Sequence, residues 1–115
     1  MIKQPEQMIT ELREHMRDGN GTVEIIHLFN KGEYDGKARL IAKITLHKGC
    51  SIGKHTHNNE EEIFYIIKGN GTFDDNGNIL PVKAGDATIT RNGQYHSIAN
   101  TGDENMEIIA VILLN

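Results

Sequence analysis

From Gly21 onward the chain is cut into short runs by Gly- and Asn-containing turn signals, and that spacing restricts it to an all-β fold. The signals are Asn30-Lys31-Gly32, Tyr34-Asp35-Gly36, Lys48-Gly49, Gly69-Asn70-Gly71, Asn76-Gly77, Ala84-Gly85-Asp86, Asn92-Gly93 and Thr101-Gly102. Gly and Asn suit such places because they take left-handed backbone at low cost. Between them lie runs rich in β-branched and apolar residues: 22–29, 39–47, 62–68, 78–82, 87–91, 95–99 and 106–114. Many short strands at this spacing predict a sandwich or barrel. Pro81, which lacks an N–H, is expected at a strand edge or end.

The chain before Gly21 reads differently. Pro5 suits a first helical position, and Met8, Ile9, Leu12 and Met16 recur at helical spacing. Residues 5 to 17 therefore predict a short helix, closed by Asp18-Gly19-Asn20-Gly21. The expected organisation is a helical segment over residues 1 to 20 and one barrel domain over residues 21 to 115. The helix is expected to brace the outside of the barrel, with a dimer contact as the alternative. The run Met106 to Leu114 hardly alternates, so both of its faces call for cover. One face can point into the barrel; the other needs the helix or a partner subunit, and a homodimer is expected.

Composition closes several routes. A chain of 115 residues suits one hydrophobic core. Lys and Arg are scattered in a chain of net charge -4, with no basic stripe or aromatic cluster of the kind that stacks bases, so nucleic acid is not expected as a partner. Cys50 is the single cysteine, so no intrachain disulfide can form. Together with an N-terminus lacking a secretory apolar run, this predicts a cytoplasmic protein. The longest apolar run, Ile108 to Leu114, is too short to span a bilayer, and no membrane association is expected.

His55-Thr56-His57 is an H-x-H pair, and residues two apart in a strand share a face. Both imidazoles can then converge on one ion. Of the carboxylates that follow, Glu62 opens the apolar run Ile63 to Ile67 and is the one held by structure. Glu60 and Glu61 read as exposed charge beside the turn Asn58-Asn59. Glu62 is an odd number of residues from His57, so a turn or bulge must intervene. His96, after the turn Asn92-Gly93, can reach the same point from a distant strand if the barrel closes. Imidazole and carboxylate suit Mn, Fe, Co, Ni, Cu or Zn better than Ca or Mg.

Here the sequence resembles the cupin superfamily. Gly49-x5-His55-x-His57-x4-Glu62-x6-Gly69 matches the first cupin motif at every named position. Gly85-x5-Arg91-x-Gly93-x2-His96-x3-Asn100 matches the second, with Arg91 where the family usually has proline. The resemblance implies a double-stranded β-helix, the cupin jelly roll. It also implies a divalent transition metal held by His55, His57, Glu62 and His96, with Asn100 stabilising a turn. Arg91 reads as a solvated strand-end residue, with a place at the barrel mouth as the alternative.

Four donors on a six-coordinate ion leave adjacent positions for water or a bidentate ligand. Similar cupins include dioxygenases, decarboxylases, isomerases and plain sugar or ligand binders, and fold does not choose among them. Two functions are therefore expected in parallel. One is a metal-dependent enzyme acting on a small oxygenated metabolite; the other is a non-catalytic, metal-assisted binding module for a sugar or other small molecule. No catalytic residue beyond the donors is legible. Phe64 and Ile66 read as core, and Tyr95, Tyr65, His47, His15, His27 and Cys50 carry no clear role.

Overall fold

A computed structural model describes all 115 residues. The chain forms ten strands: β1 (Ile9–Glu14), β2 (Thr22–His27), β3 (Ala38–Leu46), β4 (Ser51–Thr56), β5 (Glu60–Lys68), β6 (Asn70–Asp75), β7 (Asn78–Lys83), β8 (Ala87–Thr90), β9 (Tyr95–Ala99) and β10 (Met106–Leu114). A six-stranded sheet in the order β1-β2-β3-β10-β5-β8 faces a four-stranded sheet in the order β4-β9-β6-β7. All pairs are antiparallel. The architecture is the all-β jelly roll expected from the turn spacing. The strands expected from residues 22, 39, 78, 87, 95 and 106 all form, with ends shifted by a residue or two. Pro81 lies on β7, an edge strand, where no ladder bond needs its missing N–H.

The N-terminal helix is not present. Residues Pro5–Gln7 and Met16–Asp18 make single 3-10 turns, and the stretch between them is β1. β1 pairs along its whole length with β2, from Ile9 opposite His27 to Glu14 opposite Thr22. That ladder satisfies the backbone without any helix, and a helix of this length gains little stability without packing. Leu12, placed on an apolar stripe by helical spacing, is 67% exposed. The segment thus extends the sheet edge and does not cover the outside of the barrel. No helix is long and apolar enough to cross a membrane.

The core lies between the sheets. Val23, Ile25, Ala42, Ile44, Leu46, Phe64, Ile66, Met106, Ile108 and Ala110 project inward from the larger sheet, opposite Ile52, Phe73 and Ile98 of the smaller. β10 alternates in burial although it hardly alternates in composition. Met106, Ile108, Ala110 and Ile112 are buried, whereas Ile109, Val111 and Leu113 face outward and are only partly covered. At Gly69, φ is +85° and an added Cβ would lie 2.7 Å from the Asn105 carbonyl oxygen, so the turn into β6 requires glycine. Asn100 ties the same end of the barrel, as a turn residue should. Its Nδ2 donates to the carbonyls of Leu46 and Glu104, each at 2.8 Å, and its Oδ1 accepts from the Gly102 N–H at 3.0 Å.

Candidate metal centre

Three strands bring the four sequence-derived donors together. His55 is on β4, His57 lies just beyond it, Glu62 is on β5 and His96 is on β9. β4 and β9 are neighbours, with His55 directly opposite His96. The parity problem between His57 and Glu62 is solved at Asn59, whose φ is +60° and which turns the chain between the two sheets. Donor atoms of all four residues lie within 4.8 Å of one another, and His57, Glu62 and His96 are buried.

Each imidazole is held at Nδ1 and offers Nε2 to the common point. His55 Nδ1–H donates to the Gly53 carbonyl at 2.8 Å, His57 Nδ1–H to Glu60 at 2.5 Å, and His96 Nδ1–H to the buried Thr90 hydroxyl oxygen at 2.7 Å. Such outward bonds fix the tautomer in which Nε2 keeps its lone pair. Four separations then measure 3.1 Å: His57 Nε2 to His96 Nε2, His96 Nε2 to His55 Nε2, and Glu62 Oε1 to the Nε2 atoms of His57 and His96. Lone pairs crowded this closely, deep in a protein, call for a cation between them. Donors about 2.1 Å from an ion and a right angle apart lie about 3.0 Å from each other, so the spacing fits one small ion. Phe64 stacks on His96 with centroids 5.2 Å apart and an interplanar angle of 16°, and Phe73 meets the same ring edge-on at 5.5 Å. His96 is thus backed by apolar packing.

The electrostatics agree with a cation site. Burial pushes His55 down to about 4, aided by the neighbouring His96 and His57, so it is a neutral donor at pH 7. Burial would also depress His57, but the carboxylates of Glu62 and Glu60 beside it outweigh this and raise its pKa. Burial would raise Glu62, but His57 and His96 beside it hold it below the usual carboxylate range.

Glu60 departs from its sequence reading. It is no loose surface charge: it accepts from His57 Nδ1 and receives two bonds from Arg39, from Nε at 2.7 Å and Nη2 at 2.8 Å. The Arg39 guanidinium, helped by His57, holds the Glu60 carboxyl down at about 2. Arg39 reaches it from a β-bulge: Ile112 of β10 pairs with Leu40 and Leu113 with Ala38, leaving Arg39 as the extra residue. No local pattern signals either residue. Arg91 is exposed and lies outside the cup. Its N–H donates to Gln94 Oε1 at 2.9 Å, a bond that proline could not make. Tyr95 faces away from the donors, with Lys54 Nζ 4.3 Å from its ring centre. His47 sits exposed at a strand end, bonded to Asn105.

Above the donors is a cavity of about 60 Å3, with His55, Glu62 and Phe64 on its floor. By the same measure one water needs about 10–15 Å3, so the space suits a few waters or a ligand of a handful of non-hydrogen atoms. β1 and the turn after it form one wall, through Glu11, Arg13, Met16 and Arg17; Arg39 stands on another. Glu11 accepts from His27 Nε2 at 2.9 Å. Sequence reasoning missed this wall because it placed residues 5 to 17 on a helix outside the barrel.

The fold is a small jelly roll in which three imidazoles and a carboxylate converge into a cluster able to hold a metal ion. The family model described as the cupin domain matches residues 42–112, and the chain belongs to the cupin family. An oxalate-binding protein of Thermotoga maritima is 45% identical over 99% of this chain and 94% of its own length. A crystal structure described as a predicted oxalate decarboxylase from Thermotoga maritima superposes with a TM-score of 0.95 at 44% identity, covering 100% of both chains. KdgF from a Halomonas species, at 12% identity and a TM-score of 0.68 over 91% of this chain and 86% of its own, shares the fold alone.

Proposed function

We propose that the protein binds one divalent transition metal through His55, His57, Glu62 and His96 and uses it to capture a small carboxylate ligand of the oxalate type. The carrying observation is that His55 and Glu62, two of the four converging donors, open onto a cavity sized for such a molecule. The oxalate-binding relative supports the ligand class. A divalent ion held there supplies Lewis acidity to oxygen donors of the ligand. The chain's own residues orient the imidazoles from Gly53, Glu60 and Thr90, and Phe64 and Phe73 pack against the His96 ring. Elemental analysis of purified protein, followed by calorimetric titration with oxalate, tests the reading. One metal per chain and oxalate binding lost in His57→Ala are expected; full binding by metal-free protein would overturn it.

A second reading makes the protein a metal-dependent enzyme, with decarboxylation the favoured reaction. The observation behind it is Glu11, a carboxylate on the cavity wall bonded to His27. Loss of carbon dioxide leaves a carbanion equivalent that must gain a proton, and Glu11 is placed to carry one. Turnover of a diacid or keto acid that vanishes in Glu11→Gln while ligand binding stays would establish this. Binding without turnover would leave the protein a ligand-binding module.

We also propose that the protein acts in the cytoplasm as a homodimer, closed through the outer face of the six-stranded sheet. Ile109 and Val111 are half-buried there, beside Tyr65, Ile89 and Leu113 at 47%, 44% and 37% exposure. Contiguous apolar faces of this kind mark interaction surfaces. Sedimentation of a monomer at micromolar concentration would refute it.

A further inference from the structure

Three guanidiniums line the cavity, and they differ in what holds them. Arg39 is tied to Glu60 by two hydrogen bonds. Arg13 Nε lies 3.7 Å from Glu11 Oε2. Arg17 has no carboxylate partner; it is the free cation of the cup.

The backbone under Arg17 is held firmly. Its φ is 55° and ψ is 37°, left-handed values that a non-glycine residue keeps only where surrounding structure imposes them. The imposing contact is with β4. A Cβ on Gly53 would lie 1.8 Å from the Arg17 carbonyl oxygen, and a Cβ on Gly19 would lie 2.2 Å from the Ser51 carbonyl oxygen. Two stretches of bare backbone therefore press together, two residues before the donor His55. The Asn20 carbonyl accepts from the Ser51 N–H at 2.9 Å, and the Asn20 N–H donates to Ser51 Oγ at 2.9 Å, which pins the end of the turn.

The charge of the cup points the same way. Glu11, Glu60 and Glu62 balance Arg13, Arg17 and Arg39, and an imidazole bound to an ion adds no charge of its own. A divalent ion then leaves two positive charges above the donors, in a space of limited volume. The ligand that restores neutrality is a dianion. A ligand bound to the ion through part of its oxygens turns its remaining charge towards the wall formed by β1 and its turn, where Arg17 is unpaired.

We infer that Arg17 recognises the second negative charge of the ligand and makes the cup selective for small dianions over monoanions of the same size. The inference rests on the reading of the cup as a metal-centred carboxylate site. Arg17 is a specificity-determining residue by this account, and neither the metal shell nor the fold depends on its side chain.

Oxalate and oxamate form a matched pair for the test, since oxamate replaces one carboxylate by an amide at almost the same size. Both are titrated by calorimetry into protein holding one equivalent of manganese(II), in wild type, Arg17→Asn and Arg17→Lys. Asn accepts left-handed backbone readily, so Arg17→Asn removes the charge with little strain. A charge-assisted hydrogen bond implies that Arg17→Asn weakens oxalate about ten-fold or more. Oxamate is expected to change far less, and Arg17→Lys to recover part of the preference. Manganese stoichiometry and melting temperature should stay at wild-type values. Equal weakening of both ligands, or no weakening of either, overturns the role of Arg17 while leaving the carboxylate site standing. Failure of wild type to bind either ligand overturns the reading of the cup itself, and the role of Arg17 with it.

Discussion

Gly53→Ala asks whether the turn carrying Arg17 is held against β4 by backbone contact alone. The added methyl would sit 1.8 Å from the Arg17 carbonyl oxygen, 2.8 Å from its carbon and 3.0 Å from the Gly19 nitrogen. Ordinary contact begins at 3.4 Å, so the two backbones must part by at least about 1.6 Å along the shortest contact. No flexible side-chain end is available to absorb that movement. Overpacking of this kind costs about 1–3 kcal/mol. In a domain of this size that lowers the melting temperature by between about 4 and 20 °C. Gly36→Ala is the control: nothing lies within 4 Å of its added carbon, and its φ is not left-handed. It is expected to melt at or slightly above wild type. Ligand titration then says which backbone yields. If the turn moves, the preference for oxalate over oxamate collapses while metal binding stays. If β4 moves, the Gly53 carbonyl is pulled from His55 Nδ1 and metal affinity falls first. A variant that melts within about 2 °C of wild type, with both properties intact, would refute the reasoning.

Other perturbations probe the residues around the donors. Glu60→Gln removes the charged acceptor at His57 Nδ1 and releases Arg39, and metal affinity should fall about 10- to 100-fold in a competition titration. An unchanged affinity would mean that Glu60 is not an orienting partner. Thr90→Val leaves the buried Nδ1–H of His96 without an acceptor, so denaturant unfolding of metal-free protein should show a loss of about 1–3 kcal/mol. Asn100→Ala breaks three bonds at a residue 3% exposed, and a comparable loss of about 1–3 kcal/mol is expected, with metal stoichiometry unchanged.

The part of this protein that could be read from its sequence is the part specified locally. Strand alternation and turn chemistry act over a few residues, so β2, β3 and β7 to β10 were all legible near their true positions. The cluster of His55, His57, Glu62 and His96 was legible because two of them share one strand parity and the others fall at motif spacing. β6 was obscured because it begins at Asn70, inside a Gly-Asn-Gly stretch that reads as turn alone. β1 was misread for a different reason. Its inward residues Glu11 and Arg13 face the cup mouth and are polar, so the alternation that marks a strand on a hydrophobic core is absent. Met8, Ile9, Leu12 and Met16 then presented a helical period by default.

The functional residues that escaped detection have a common cause. Glu60 takes its role from Arg39, twenty-one positions away, and Arg39 reaches it only through a bulge that no sequence pattern records. Arg17 takes its place from Gly53 across two elements, in a backbone conformation that its side chain would not choose. Each therefore breaks a local rule for a partner distant in sequence: a charge within a turn-like acidic run, an extra residue in a ladder, a left-handed arginine. Such exceptions accumulate around the donors because a cup must aim polar groups inward, against the preference that builds the rest of the barrel. That pattern gives the N-terminal stretch a second meaning. Its apolar residues contribute little to the core, whereas its polar residues complete the wall of the site. Exchanging residues 9–18 should therefore alter which ligand binds more than whether the barrel folds.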